Sequence, residues 1–226
     1  HTPPSGQGKK ISVASIVGVE ALRALASRSF FVFLACSFLI CVPLAAYYNF
    51  TQLYLGATGF QNIAGTQTIG QMSEVIFMLL MPVLFARLGV KWMLMIGMGA
   101  WAARYALFAM GAPESVTWMI IGGIALHGIC YDFFFVTGQI YVDQKSNDQI
   151  RGQAQGLLVL VTYGFGMLIG AQAAGYAFNR FLQDADGLTL AQWQQFWWLP
   201  AAFAIGVMVV FALLFKSDRK TDSSAA

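Results

Sequence analysis

Glu74, Arg104, His127 and Asp132 are the titratable side chains that fall deep inside apolar stretches of this 226-residue chain. Charge at membrane depth is costly and by default marks a solute or ion path. Glu74 ends the run T-I-G-Q-M-S-E, and Gln71 stands three residues before it. That spacing puts amide and carboxylate on one helix face. Together they supply an ionisable acceptor and a group that both donates and accepts, suited to the hydroxyls and ring edges of a polar solute. A polar clamp between helices is the plainer role for the same pair.

His127, Tyr131 and Asp132 belong to LHGICYDFFFVTGQIYVDQ, residues 126–144. His127 lies one helical turn before Tyr131, so the two stack on one face, with Asp132 about 100° round from Tyr131. Flat rings with polar tips suit a heteroaromatic base. The plainer alternatives are a satisfied interior histidine and a partner carboxylate for Arg104. Arg104, in W-A-A-R-Y, is expected to form a structural ion pair with an intramembrane acid, or to bind helix-end carbonyls. Asn49 closes L-A-A-Y-Y-N-F after Pro43. An amide there faces the bundle or a cavity, and the proline frees a backbone carbonyl.

No phosphate-cradling loop, nucleophile triad or metal-ligand cluster accompanies these residues, and the GxG matches fall inside apolar helices, where they carry no nucleotide signal. The reading is therefore not an enzyme, with no cofactor, no metal and no nucleic-acid partner. Cys36, Cys41 and Cys130 lie in apolar runs without ligand spacing and read as small core residues.

Positioning these groups requires membrane helices. The chain is 58% hydrophobic and 10% charged, against about 25% charged in an ordinary soluble domain. Six stretches reach the roughly 20 residues a helix needs to cross the bilayer: 30–55, 66–88, 92–110, 117–141, 152–178 and 194–215. Residues 1–29 read as a cytoplasmic linker, polar over HTPPSGQGKK and then an amphipathic helix over 11–29 lying along the membrane surface. Residues 216–226 read as a cytoplasmic tail. The absence of an initial methionine suggests a piece of a longer protein.

Lysines and arginines set the orientation. Lys9, Lys10, Arg23, Arg28, Arg87, Lys91, Lys145, Arg151, Lys216, Arg219 and Lys220 all fall on one side, and Arg180 stands opposite with Glu114, Asp184 and Asp186. Both termini are thus expected in the cytoplasm. Gly156, Gly164, Gly166, Gly170 and Gly175 read as close helix packing, and Trp193, Trp197 and Trp198 as an outer interfacial belt.

Six spans with cytoplasmic ends suit half of a transporter built from inverted three-helix repeats, with its solute site near the midplane. Beyond that, QMSEVIFMLL (71–80), FARLGVKWML (85–94), GAWAARYALF (99–108), the stretch 126–143 and RGQAQGL (151–157) resemble the bacterial nucleoside/proton symporters of the major facilitator superfamily. The resemblance runs from about residue 22 to 215 and fits the C-terminal six-helix half of such a transporter. It implies an all-α membrane fold in the bacterial inner membrane, with an N-terminal six-helix half as partner and the lipid bilayer as solvent. It further implies proton-coupled nucleoside uptake by alternating access. On that likeness Gln71, Glu74 and Asn49 contact the nucleoside, and Asp132 matches the aspartate of the family's D-F-F run. Asp132 or Glu74 carries the proton. His127 and Tyr131 stand where the family has a tyrosine and a phenylalanine, and Ala46 where it has a glutamine. Two alternatives remain: a symporter for another polar solute such as a sugar, and a non-transporting sensor or scaffold component.

Overall fold

The computed structural model describes residues 17–182 and 187–216. Lys9, Lys10, Asp184, Asp186, Arg219 and Lys220, the segment 1–16 and the tail 217–226 therefore lie outside the described residues. What is described is all helix and turn. A short helix α1 (Val19–Ala24) precedes five helices long and apolar enough to cross a membrane: α2 (Arg28–Ala57), α3 (Ile63–Gly111), α4 (Thr117–Lys145), α5 (Arg151–Phe181) and α6 (Leu190–Leu214).

Two of the expected spans share α3. Its 49 residues would reach about 74 Å if straight, more than twice the roughly 30 Å hydrocarbon core. The helix is interrupted at Gly89, whose φ of 68° and ψ of 174° are non-helical. A positive φ costs glycine nothing. Contacts with α4 show what the interruption does. Before Gly89, Gly70 and Ser73 lie against His127 and Gly128, and Phe77 meets Phe133 at 5.7 Å, so both helices advance together. After it, Gly97 lies against Phe134, and Phe108 against Gly123, so the sense is opposite. The chain reverses at Gly89.

Contacts gather the cationic segments at one end of the bundle. Lys91 Nζ donates to the Ala212 carbonyl at 3.2 Å, near the C-terminus of α6, where a cation complements the helix dipole. Ser29 Oγ donates to the Lys216 carbonyl at 2.8 Å. Arg151 pairs with Asp143 at 2.9 Å, and Gln153 Nε2 donates to Glu20 at 3.2 Å, tying α1 to the head of α5.

The helix expected over 11–29 is described only from Val17, and there it ends at Ala24. Ser27, extended at φ −142° and ψ 157°, accepts from the Phe30 amide and starts α2 instead. An N-cap of this kind requires non-helical backbone, which stops the preceding helix.

The tryptophan belt is corrected as well. Trp193 and Trp197 are buried, and only Trp198 is exposed. Spaced four apart, the first two share a face of α6 and enter an aromatic core: Tyr54 stands 5.5 Å from Trp193, and Phe108 5.1 Å from Trp197. The glycines of the fifth span divide too. A Cβ on Gly166 would meet Cys41 Cβ at 2.9 Å, and one on Gly170 the Cys41 carbonyl at 2.8 Å, whereas Gly156 and Gly175 face open space.

The tightest crossing is at Gly128, where a Cβ would fall 2.5 Å from the Ser73 carbonyl and 2.6 Å from the Glu74 amide nitrogen. Backbone cannot yield as a side chain does. Gly128→Val is expected to lower the thermal unfolding temperature in detergent, at the upper end of the roughly 1–3 kcal/mol cost of overpacking. Gly156→Ala, which meets nothing, should leave it unchanged, and equal shifts would refute the close crossing.

Candidate functional site

Three helices supply the candidate groups. α2 carries Tyr47, Tyr48 and Asn49 one turn beyond Pro43. A proline inside a helix removes one backbone hydrogen bond, and here the turn is braced by Tyr105, whose hydroxyl donates to the Pro43 carbonyl at 2.5 Å. The first arm of α3 carries Gln71, Ser73 and Glu74. Gln71 is exposed and Glu74 partly so. Among the described residues neither side chain has a hydrogen-bond or ion-pair partner, which leaves both free to meet a solute.

α4 is not regular. It breaks at Leu126 between Ala125 and His127 and becomes π-helical over Asp132–Val136. Ser73 bridges the break: its hydroxyl donates to the Ala125 carbonyl at 2.5 Å and accepts from the Gly128 amide at 3.2 Å. One side chain of α3 thereby satisfies backbone groups on both sides of His127, which a break in a helix would otherwise leave unpaired. A π-helical turn is a local feature often found at functional positions.

The expected stacking of His127 on Tyr131 is present, with ring centroids 6.0 Å apart at 30°. Around His127 the structure adds Tyr47, stacked at 5.3 Å, and Tyr48, edge-on at 6.4 Å. Tyr131 in turn accepts a 2.8 Å hydrogen bond from the Tyr163 hydroxyl on α5. The structure thus brings the turn of α3 that carries Gln71 and Glu74 against the turn of α4 that carries His127. Asn49 is held apart in its bonding: Nδ2 donates to the Ala45 carbonyl of its own helix at 2.7 Å, although the preceding Tyr48 reaches the histidine.

The ion pair expected for Arg104 is not formed. Arg104 is fully buried; its Nε donates to the Gly123 carbonyl at 3.0 Å and its guanidinium lies 4.2 Å from the Tyr47 ring centroid. Both terminal nitrogens lack a partner, and so do both carboxylate oxygens of the fully buried Asp132. The second possibility, a carbonyl near a helix end, is the one realised: α4 breaks soon after Gly123, and the aromatic face supplies the remaining attraction.

Sequence reasoning missed Ser73, Tyr47, Tyr48 and Tyr163. The first sat inside a motif whose amide and acid drew attention. The tyrosines were hidden because aromatic residues are common throughout the chain, although the Tyr47–Tyr48 pair beside Asn49 was a legible cue. Tyr163 brings the fifth span, singled out from the sequence only for its glycines, to the same cluster.

Residues 1–220 match the family described as nucleoside H+ symporter. The chain belongs to that family. YegT of Escherichia coli K12 is 39% identical over 222 residues, covering 96% of this chain and 52% of YegT. The nucleoside permease NupG of the same organism is 28% identical over 227 residues, covering 96% of this chain and 53% of NupG. Crystal structures of the nucleoside transporter NupG superpose with TM-scores of 0.82, for an aspartate-to-alanine mutant, and 0.79. Each is 27% identical and covers 96% of this chain and 56% of the other. The chain therefore spans about half the length of the curated relatives it matches. It is a multi-pass helical membrane protein of a transporter family.

Arg104 and Asp132 provide a test of the unpaired arrangement. Stabilities of Arg104→Met, Asp132→Asn and the double mutant, measured by thermal unfolding in detergent, are expected to add within about 0.5 kcal/mol, as independent sites do. A true buried pair would couple strongly, since stranding one partner costs about 3–5 kcal/mol.

Proposed function

We propose that this chain is the C-terminal half of a proton-coupled nucleoside transporter of the bacterial inner membrane, working by alternating access. It crosses the bilayer six times, with the two arms of α3 counted separately. The passes form two inverted three-helix repeats in the manner of the major facilitator superfamily. Both termini face the cytoplasm. The gathering of Lys91, Arg151 and Lys216 at one end of the bundle supports that orientation. An N-terminal six-helix half completes the cavity wall and rocks against this one. Residues 1–29 form its cytoplasmic lead-in and 216–226 its tail.

The observation that carries this reading is the α3–α4 crossing, where Gly70 and Ser73, the chain neighbours of Gln71 and Glu74, lie against His127 and Gly128. An amide and a carboxylate without protein partners match the hydroxyls of a ribose. Stacked rings match the faces of a base. Asn49 flanks the same region and turns from the Ala45 carbonyl to the solute when one is bound. Asp132, buried behind the rings with an unpartnered carboxylate, takes the proton, and Glu74 takes the solute hydroxyls. Because Asp132 lies on the same helix as His127 and Tyr131, its change of charge reaches the ring wall through α4 itself. The names of the relatives, a nucleoside permease and a xanthosine permease, support the substrate class.

Uptake of labelled uridine by the full-length transporter tests both roles. Glu74→Gln is expected to raise KM by roughly tenfold or more, as for a lost hydrogen bond to a charged group. Asp132→Asn is expected to abolish accumulation against a gradient while leaving downhill exchange. If both variants accumulate uridine like the wild type, this assignment is wrong.

A further inference from the structure

Tyr163 lies on α5, away from the α3–α4 crossing, yet it makes a hydrogen bond between the side chains of two membrane-crossing helices. Its hydroxyl donates to that of Tyr131 at 2.8 Å, across 32 residues of sequence. Phe135 braces both partners, its ring 5.3 Å from Tyr131 and 5.3 Å from Tyr163. On its other neighbour Tyr131 stacks against His127 at 6.0 Å. Both tyrosines stand at π-helical turns: Tyr163 within Leu160–Gly166 of α5 and Tyr131 immediately before Asp132–Val136 of α4.

A phenol has one proton to give and two lone pairs to receive with. Tyr131 spends a lone pair on Tyr163, so its own proton is left over. No acceptor for that proton exists among the described residues, and Tyr131 is only partly buried. We propose that Tyr163 is a positioning residue: it fixes the Tyr131 ring against His127 and aims the Tyr131 hydroxyl as a donor toward an acceptor atom, a carbonyl oxygen or ring nitrogen, on the solute's base. This rests on the nucleoside reading above and sharpens it, because it assigns Tyr131 a hydrogen bond with a direction in addition to a stacking face. Tyr163 acts only through Tyr131 and touches no solute.

The two hydroxyls can be removed without disturbing either ring. In full-length transporter taking up uridine, Tyr131→Phe is expected to raise KM about tenfold and Tyr163→Phe about threefold, each with kcat unchanged, within the range of a neutral hydrogen bond. The double variant Tyr131→Phe/Tyr163→Phe is expected to match Tyr131→Phe alone, since Tyr163 has nothing left to orient. A purely structural tyrosine would act equally in both backgrounds. Equal effects of Tyr163→Phe with and without the Tyr131 hydroxyl overturn the proposal, as does a Tyr163→Phe variant with wild-type KM or one that lowers kcat alone. A wild-type transporter that takes up no uridine instead overturns the nucleoside reading, and this proposal with it.

Discussion

Where α4 crosses α3 there is no room for a side chain, and the rest of the site depends on that. Gly128 lets the α4 backbone come against the Ser73 turn, and Ser73 uses the proximity to hydrogen-bond both sides of the break at Leu126. The contact is enthalpically cheap only because both conditions hold at once. In a lipid environment an open backbone amide or carbonyl costs several kcal/mol, so an irregular helix survives only where a neighbour repairs it. The repair fixes His127, and through it the rings of Tyr47, Tyr48 and Tyr131. The same turn of α3 carries Gln71 and Glu74. Acid, amide and aromatic wall are thus registered by one crossing.

Against that well-satisfied crossing stand groups that are not satisfied. The Arg104 side chain keeps one hydrogen bond and an aromatic face, while the Asp132 carboxylate has no hydrogen-bond partner among the described residues. A low-dielectric interior makes such groups expensive, and a rigid structural role would have paired them.

The family and the helical class were legible in the residues, as was the stacking of His127 on Tyr131. Each depends on spacing within one helix, which a period of 3.6 residues makes readable. Which of the two partners named for Arg104 it takes, an acid or a helix-end carbonyl, was not, because the sequence offers acids at plausible depths without saying which face each one shows. Trp193 and Trp197 were misread for a related reason. Tryptophan is amphipathic enough for an interface or a core, and only the presence of Tyr54, Tyr105 and Phe108 opposite decides between them.

Composition determined that this chain lives in a membrane as apolar helices, since the cost of burying charge is paid locally, residue by residue. Tertiary structure alone decided the reversal at Gly89, the Ser73 bridge and the Tyr163–Tyr131 bond. Those depend on which helix faces meet, and contact between segments distant in sequence leaves no periodic trace in either of them.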